Sequence, residues 1–155
     1  MKRVERIHLL SRADRLMPLR EFVRDFALRY ECSHQSLDCI VMSVNEACMN
    51  VIQHAYAGDE DGEIVIEFWV DKDAVMIRVM DYAEQVDIES IKSRDLDDVK
   101  PGGLGVHIIN KLMDNVEYRR DSIESGNVLE MRKKINCKVD HFTNNNMQNS
   151  SGDSL

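Results

Sequence analysis

The stretch Val44-Asn45-Glu46-Ala47-Cys48-Met49-Asn50-Val51-Ile52-Gln53-His54-Ala55-Tyr56 holds two patterns at once. Val44, Cys48 and Val51, continued upstream by Leu37, Ile40 and Val41, recur at three- and four-residue steps, the spacing of one apolar helix face. Glu46, Asn50 and His54 step by four and form a second row beside the first, carrying a carboxylate, an amide and an imidazole. Ser33 to Ser36 breaks and recaps the chain, so this helix is predicted to start there and run to about His54. A polar row on a helix is by default its solvated side. It becomes a site only if other groups converge on it.

Downstream, Gly58 to Gly62 reads as a polar turn. Ile64, Ile66, Phe68 and Val70 then alternate, Asp71 to Asp73 turns, and Val75, Ile77 and Val79 alternate again, which predicts a β-hairpin with one covered face. Asp81 follows directly, where an acid can be a turn residue or a ligand group. Tyr82 to Pro101 is polar and longer than an ordinary connection, the profile of a functional lid. Gly102-Gly103-Leu104-Gly105-Val106 opens a helix carrying Val106, Ile109, Leu112 and Met113. Glycines admit close backbone approach, and the free N–H groups of a helix start suit a phosphate. No Gly-Lys-Ser/Thr follows, so this is not a Walker A loop. Strands are predicted near 116–120 and 127–135, and residues 137–155 are expected to form a disordered polar tail outside a domain of residues 1–136.

Upstream, 4–10 reads as a strand, Ser11 to Asp14 offers caps, and Leu19, Phe22, Val23, Phe26, Ala27 and Tyr30 form a helical stripe with Pro18 in its first turn. Strands and helices are segregated. The expected class is α+β: a two-layer sandwich of a mixed, mainly antiparallel sheet with helices on one face.

Composition narrows the function. With 155 residues, 43% of them apolar, the chain fits one domain with an ordinary core. A net charge of −8 disfavours general binding to nucleic acid or anionic membrane, both of which reward excess Lys and Arg. A polyanion must therefore be held locally, by backbone N–H groups, a helix start and a metal ion. No apolar run approaches the roughly 20 residues of a membrane span, and the opening MKRVERIHLL lacks a signal-peptide core, so a cytoplasmic protein is the default. Cys32, Cys39, Cys48 and Cys137 form no CxxC pair and read as small hydrophobes kept reduced.

The Glu46/Asn50/His54 row, Asp81 and the 102–106 glycines, in this order, resemble the N, G1 and G2 boxes of the GHKL superfamily, which includes DNA gyrase, histidine kinases and mismatch-repair ATPases. NEACMNVIQHAY, GGLGVHIINKLMD and GNVLEMRKKI are similar to the corresponding segments of the small anti-sigma-factor serine kinases. The resemblance spans residues 4–136 and implies the GHKL (Bergerat) ATPase fold. By position, it implies that Asn50 coordinates Mg²⁺ and that Glu46 is the general base for an attacking hydroxyl. It further implies that Asp81 accepts from the adenine amino group, and that Gly103, Leu104, Gly105 and Val106 cradle phosphate. Residues 84–102 become an ATP lid. His54 and Tyr56 match the motif as either packing or ligand-contact residues.

The G1 box of that family reads Asp-x-Gly, whereas this chain has Asp81-Tyr82-Ala83. If the position needs φ > 0 or close approach to the purine, alanine adds strain of about 1 kcal/mol. If the backbone there is ordinary, the methyl group is accommodated. The resemblance implies an anti-sigma factor with serine/threonine kinase activity, using Mg-ATP to phosphorylate a STAS-domain antagonist. Its partners are that antagonist and a sigma factor, and its state is a homodimer. The alternatives are a non-catalytic or nucleotide-gated binding module of the same fold, which Ala83 favours, and the catalytic part of a histidine kinase.

Overall fold

The computed structural model describes residues 1–83, 103–124 and 126–135, with Gly103 and Leu104 described by backbone alone. The element order is β1 (Lys2–Leu10), α1 (Leu16–Arg29), α2 (His34–Asn50), β2 (Glu63–Val70), β3 (Ala74–Asp81), α3 (Gly103–Leu112), β4 (Asn115–Arg120) and β5 (Asn127–Lys134). The expected lid (84–102) and the expected tail (137–155) lie outside the described residues.

The strands form one sheet in the order β1-β2-β3-β5-β4. Every neighbouring pair is antiparallel, so the expected mixed sheet is antiparallel throughout. The reason is topological. The crossover through α3 leaves one place empty beside β3, and β5 returns into it, opposite in direction to both β3 and β4.

The three helices cover one face. Ile64, Ile66 and Phe68 of β2, Val75, Ile77 and Val79 of β3, and Leu129 and Met131 of β5 pack beneath Val23 and Phe26 of α1. Ile40, Val44 and Cys48 of α2 and Ile109 of α3 complete the same core. The Phe26 and Phe68 rings meet at 4.6 Å between centroids, which locks α1 onto β2. Burying side chains of this size contributes about 1.5–3 kcal/mol each, so this interface sets where the helices sit.

The other face is not the plain solvated side that alternation suggests. Val65, Met80 and Val128 form a small buried cluster there. Beside it Glu67, only 6% exposed, accepts from Arg3 at 2.9 Å and from the Trp69 indole at 3.2 Å, with Arg6 at 3.4 Å. Arg78 lies over the Trp69 ring at 4.8 Å and donates to Glu130 at 2.7 Å.

Two helix ends depart from the sequence reading. Ser11 to Asp14 caps no α-helix: a 3₁₀ turn, Ala13–Arg15, intervenes, and the N-cap of α1, Arg15, makes no side-chain cap bond. The Ser11 hydroxyl instead donates to the Asp59 carbonyl, and its N–H donates to the Gly62 carbonyl at 2.8 Å, joining the end of β1 to the turn before β2. Pro18 does sit in the first turn of α1. α2 starts as expected, with Ser33 Oγ accepting from the Ser36 N–H at 3.1 Å. It ends at Asn50, and the chain continues through one π-helical turn, Val51–Ala55. Ala57 at φ +49° and Gly58 at φ +93° then turn it toward β2.

Candidate functional site

The site is built where the C-terminal half of α2 passes the start of α3. Val44, Ala47 and Cys48 face the core and fix the rotation of α2, which leaves Glu46 and Asn50 on its half-buried flank. Gly105, in the first turn of α3, is buried against that flank. A Cβ added there would stand 2.9 Å from Glu46 Oε2 and 3.3 Å from both terminal atoms of Asn50. Gly105 does not take positive φ. Glycine is present for space, so that a helix start can sit directly on a carboxylate and an amide. The polar row of α2 is thus not a solvated face.

This arrangement supplies two chemistries together. The opening N–H groups of α3 have no intrahelical acceptor, and a helix start of this kind suits an anion. Glu46 and the Asn50 amide oxygen beside them are hard oxygen donors of the kind Mg²⁺ accepts while keeping several waters and a phosphate. Among the described residues no group of three or more His, Cys, Asp and Glu gathers, so a cation here would need oxygens from its ligand. The donor set, with a glycine at 105 in place of a side chain that would crowd it, fits a metal–phosphate group.

Asp81, the last residue of β3, is 5% exposed. Its Oδ1 accepts from the Ala83 N–H at 3.0 Å and from Asn127 Nδ2 at 2.9 Å. Asn127 is its register partner on β5, and its own Oδ1 accepts from Arg120 of β4 at 3.3 Å. Among the described residues both bonds to the carboxylate fall on Oδ1, which leaves Oδ2 as an acceptor for a ligand. Burial raises the Asp81 carboxyl above its ordinary range, against the opposing pull of the Asn127 and Ala83 bonds and the Arg120 charge.

Ala83 is buried and bonded to Asp81, and it is not at positive φ; the described non-glycine residues that are so are Glu31 and Ala57. The strain expected if this position needed a glycine backbone is therefore absent. Val106 is half-buried in α3 just beyond Gly105, and Gly103 and Leu104 open that helix. His54, unlike the half-buried Glu46 and Asn50, is open to solvent. It lies in the π-helical turn that follows α2. Tyr56 is a structural bridge, donating to the Glu63 carbonyl at 2.6 Å and accepting from the Tyr82 N–H at 2.9 Å. Cys48 is fully buried and its thiol is pushed up to about 12, which keeps it un-ionised at neutral pH.

Sequence reasoning missed Asn127 and Arg120. The available signal was Gly126-Asn127 at the head of the last predicted strand. A Cβ on Gly126 would stand 3.0 Å from the Asp81 carbonyl oxygen, so that glycine marks close strand approach beside the site.

Comparison with known proteins gives consistent matches. The family described as Histidine kinase-like ATPase domain matches residues 9–133. The protein named Serine-protein kinase RsbW of Halalkalibacterium halodurans is 36% identical over 119 residues, covering 72% of this chain and 70% of that one. Its namesake in Bacillus subtilis is 33% identical over 127 residues, covering 76% and 77%. Among solved structures, the RsbU and RsbW domains of Rv1364c from Mycobacterium tuberculosis superpose with a TM-score of 0.61 at 15% identity, over 85% of this chain and 33% of that one. At that identity the likeness concerns the fold alone.

Proposed function

Because this chain belongs to the histidine kinase-like ATPase family and, within it, to the serine-protein kinases named RsbW, we infer how its site residues serve that activity. The protein is an anti-sigma factor with serine-protein kinase activity, using ATP. Our reading of the site is that Asn50 holds Mg²⁺, Glu46 takes the proton of the attacking serine hydroxyl, and the start of α3 from Gly103 to Val106 holds the phosphates. Asp81 accepts from the adenine amino group through Oδ2, next to Ala83. The acceptor serine belongs to a STAS-domain antagonist, and the partner held inactive is a sigma factor. The kinase works as a homodimer in the cytoplasm.

The observation that carries this reading is the contact of Gly105 with Glu46 and Asn50. Bound Mg-ATP supplies the transferable phosphoryl group and the cation that offsets its charge. The chain's part is positional and electrostatic. Glu46 stands at the helix start that receives the phosphates, so a hydroxyl entering there meets base and phosphoryl group together. Asn50, being neutral, adds a metal ligand without adding negative charge beside the polyphosphate. On the antagonist, the new phosphate introduces charge at the docking surface and releases it.

The test is single-turnover transfer from labelled ATP to a STAS-domain protein. Glu46→Gln keeps the shape but is a far weaker base, and it should slow transfer by about 10² to 10⁴ while leaving nucleotide affinity nearly intact. Asn50→Ala should weaken Mg-dependent ATP binding by about tenfold or more, about 1.4 kcal/mol. A normal rate in Glu46→Gln sinks the base assignment, and unchanged Mg-ATP affinity in Asn50→Ala sinks the metal assignment. Acid-stable label on the product identifies phosphoserine; acid-labile label points to phosphohistidine.

A further inference from the structure

We propose that Tyr56 is a positioning residue for purine recognition, its hydroxyl tying the end of the α2 segment to the backbone that carries Asp81. The proposal rests on the reading of this site as a nucleotide site.

Three observations converge on Tyr56. The first is the π-helical turn that precedes it: the Tyr56 N–H donates to the Val51 carbonyl, five residues back, at 2.9 Å. From the end of this turn the side chain reaches the sheet. The second is the seat of the ring. A Cβ on Gly62 would fall 2.5 Å from Tyr56 Cγ, so the ring lies flat on a glycine backbone that no other residue could replace without displacing it. The third is the hydroxyl, which donates to the carbonyl of Glu63, the first residue of β2, and accepts from the N–H of Tyr82, the residue after β3. A phenol has one proton to donate and lone pairs to accept, and here it does both.

The consequence falls on Asp81. In the sheet register Asp81 lies opposite Ile64, next to Glu63, so Tyr56 closes the open end of the β2–β3 pair just beyond that position. The two N–H groups that follow Asp81 are then both fixed, that of Tyr82 by Tyr56 and that of Ala83 by Asp81 Oδ1. With Asn127 on the same oxygen, Oδ1 is held by two donors and the swing of the carboxylate is restrained. Tyr56 therefore acts through Tyr82 and Asp81 rather than by touching the base. Its hydroxyl links the segment that bears Glu46 and Asn50 to the one that reads the purine.

Calorimetric titrations of wild type and Tyr56→Phe with ADP, IDP and tripolyphosphate test this. IDP lacks the 6-amino donor, and tripolyphosphate lacks a base. Phenylalanine keeps the ring on Gly62 and removes only the hydroxyl. Wild type should prefer ADP over IDP. In Tyr56→Phe, ADP affinity should fall about fivefold, the scale of one neutral hydrogen bond, with IDP and tripolyphosphate unchanged. The proposal is overturned if ADP affinity does not fall, or if all three probes weaken equally, as a merely structural role predicts. Should Tyr56→Phe lose its cooperative thermal transition, amide hydrogen exchange at Tyr82 in the wild type decides. It should slow with ADP but not with tripolyphosphate, and equal effects of the two overturn the idea. Wild type binding neither ADP nor tripolyphosphate would instead overturn the nucleotide-site reading on which the proposal stands.

Discussion

Ala83 shows how a single residue can mislead when read from a motif. Asp-x-Gly became Asp81-Tyr82-Ala83, and the missing glycine suggested strain beside the ligand. The backbone there is ordinary, and its N–H is already committed to Asp81. Ala83→Gly should therefore leave ADP affinity as it is and lower stability by about 0.4–1 kcal/mol through added freedom of the unfolded chain; calorimetry and a thermal melt check both halves. A several-fold gain in affinity would mean the methyl group does crowd the purine. Asp81 itself carries a pH signature. Its carboxyl binds a proton more tightly folded than unfolded, because burial opposes its charge. Its stabilising contribution is thus full below the ordinary aspartate range and is lost as pH rises through the raised folded value. Asp81→Asn cannot ionise and still accepts from Asn127 and Ala83. It should melt higher than wild type at pH 7, by a margin that shrinks as pH falls through the raised value, and it should bind ADP more weakly. A lower melting temperature at pH 7 would show that the bonds to the charged form outweigh its burial. Glu46, Asn50 and Asp81 were named as candidates because spacing and a strand end drew notice and the family resemblance singled them out. Asn127 was not, since it stands 46 positions from Asp81 and only the β3–β5 register brings them together.

At the scale of elements, α2 is secured at both ends to the sheet. Ser36 Oγ donates to the Lys134 carbonyl at 3.0 Å and the Ser33 N–H donates to the Ile135 carbonyl at 3.4 Å, while Tyr56 anchors the far end. A helix bearing two site residues is thereby held against sliding along the sheet. Ser33→Ala removes the N-cap acceptor and should cost about 1 kcal/mol, read as a shift in the urea midpoint with unchanged slope. No shift would mean that neighbouring contacts satisfy the Ser36 N–H. The face and start of α2 were readable from periodicity and from Ser33. Its end was not, because Val51 to Ala55 are compatible with either winding. The first turn of α1 holds Pro18 as read, but the offered caps do not serve: the Ser11 hydroxyl goes to the Asp59 carbonyl.

For the whole molecule, the described fold closes at Ile135, which is 4% exposed and donates its N–H to the Asp73 carbonyl at 2.9 Å. A chain cut after Cys137 should keep a single cooperative thermal transition, and loss of it would show that the polar segment 138–155 is part of the folded unit. The α+β class, the helical face and the hairpins followed from alternation and segregation. The insertion of β5 between β3 and β4 did not, because no local pattern specifies which strand fills a gap. That insertion has a consequence for how the protein is made. β4 has β5 as its partner strand, and β5 also completes the other edge of β3. During vectorial synthesis, residues 1–81 can form the β2–β3 hairpin and lay α1 and α2 upon it. α3 and β4 emerge later with no strand to join, and Asp81 has no Asn127. Only when residues 127–134 leave the ribosome do the missing neighbours arrive, all in one step. If Asp81 reads the base as proposed, a nascent chain stalled before that point lacks the neighbour that holds its carboxylate, so the emergence of residues 127–134 times the completion of that part of the site.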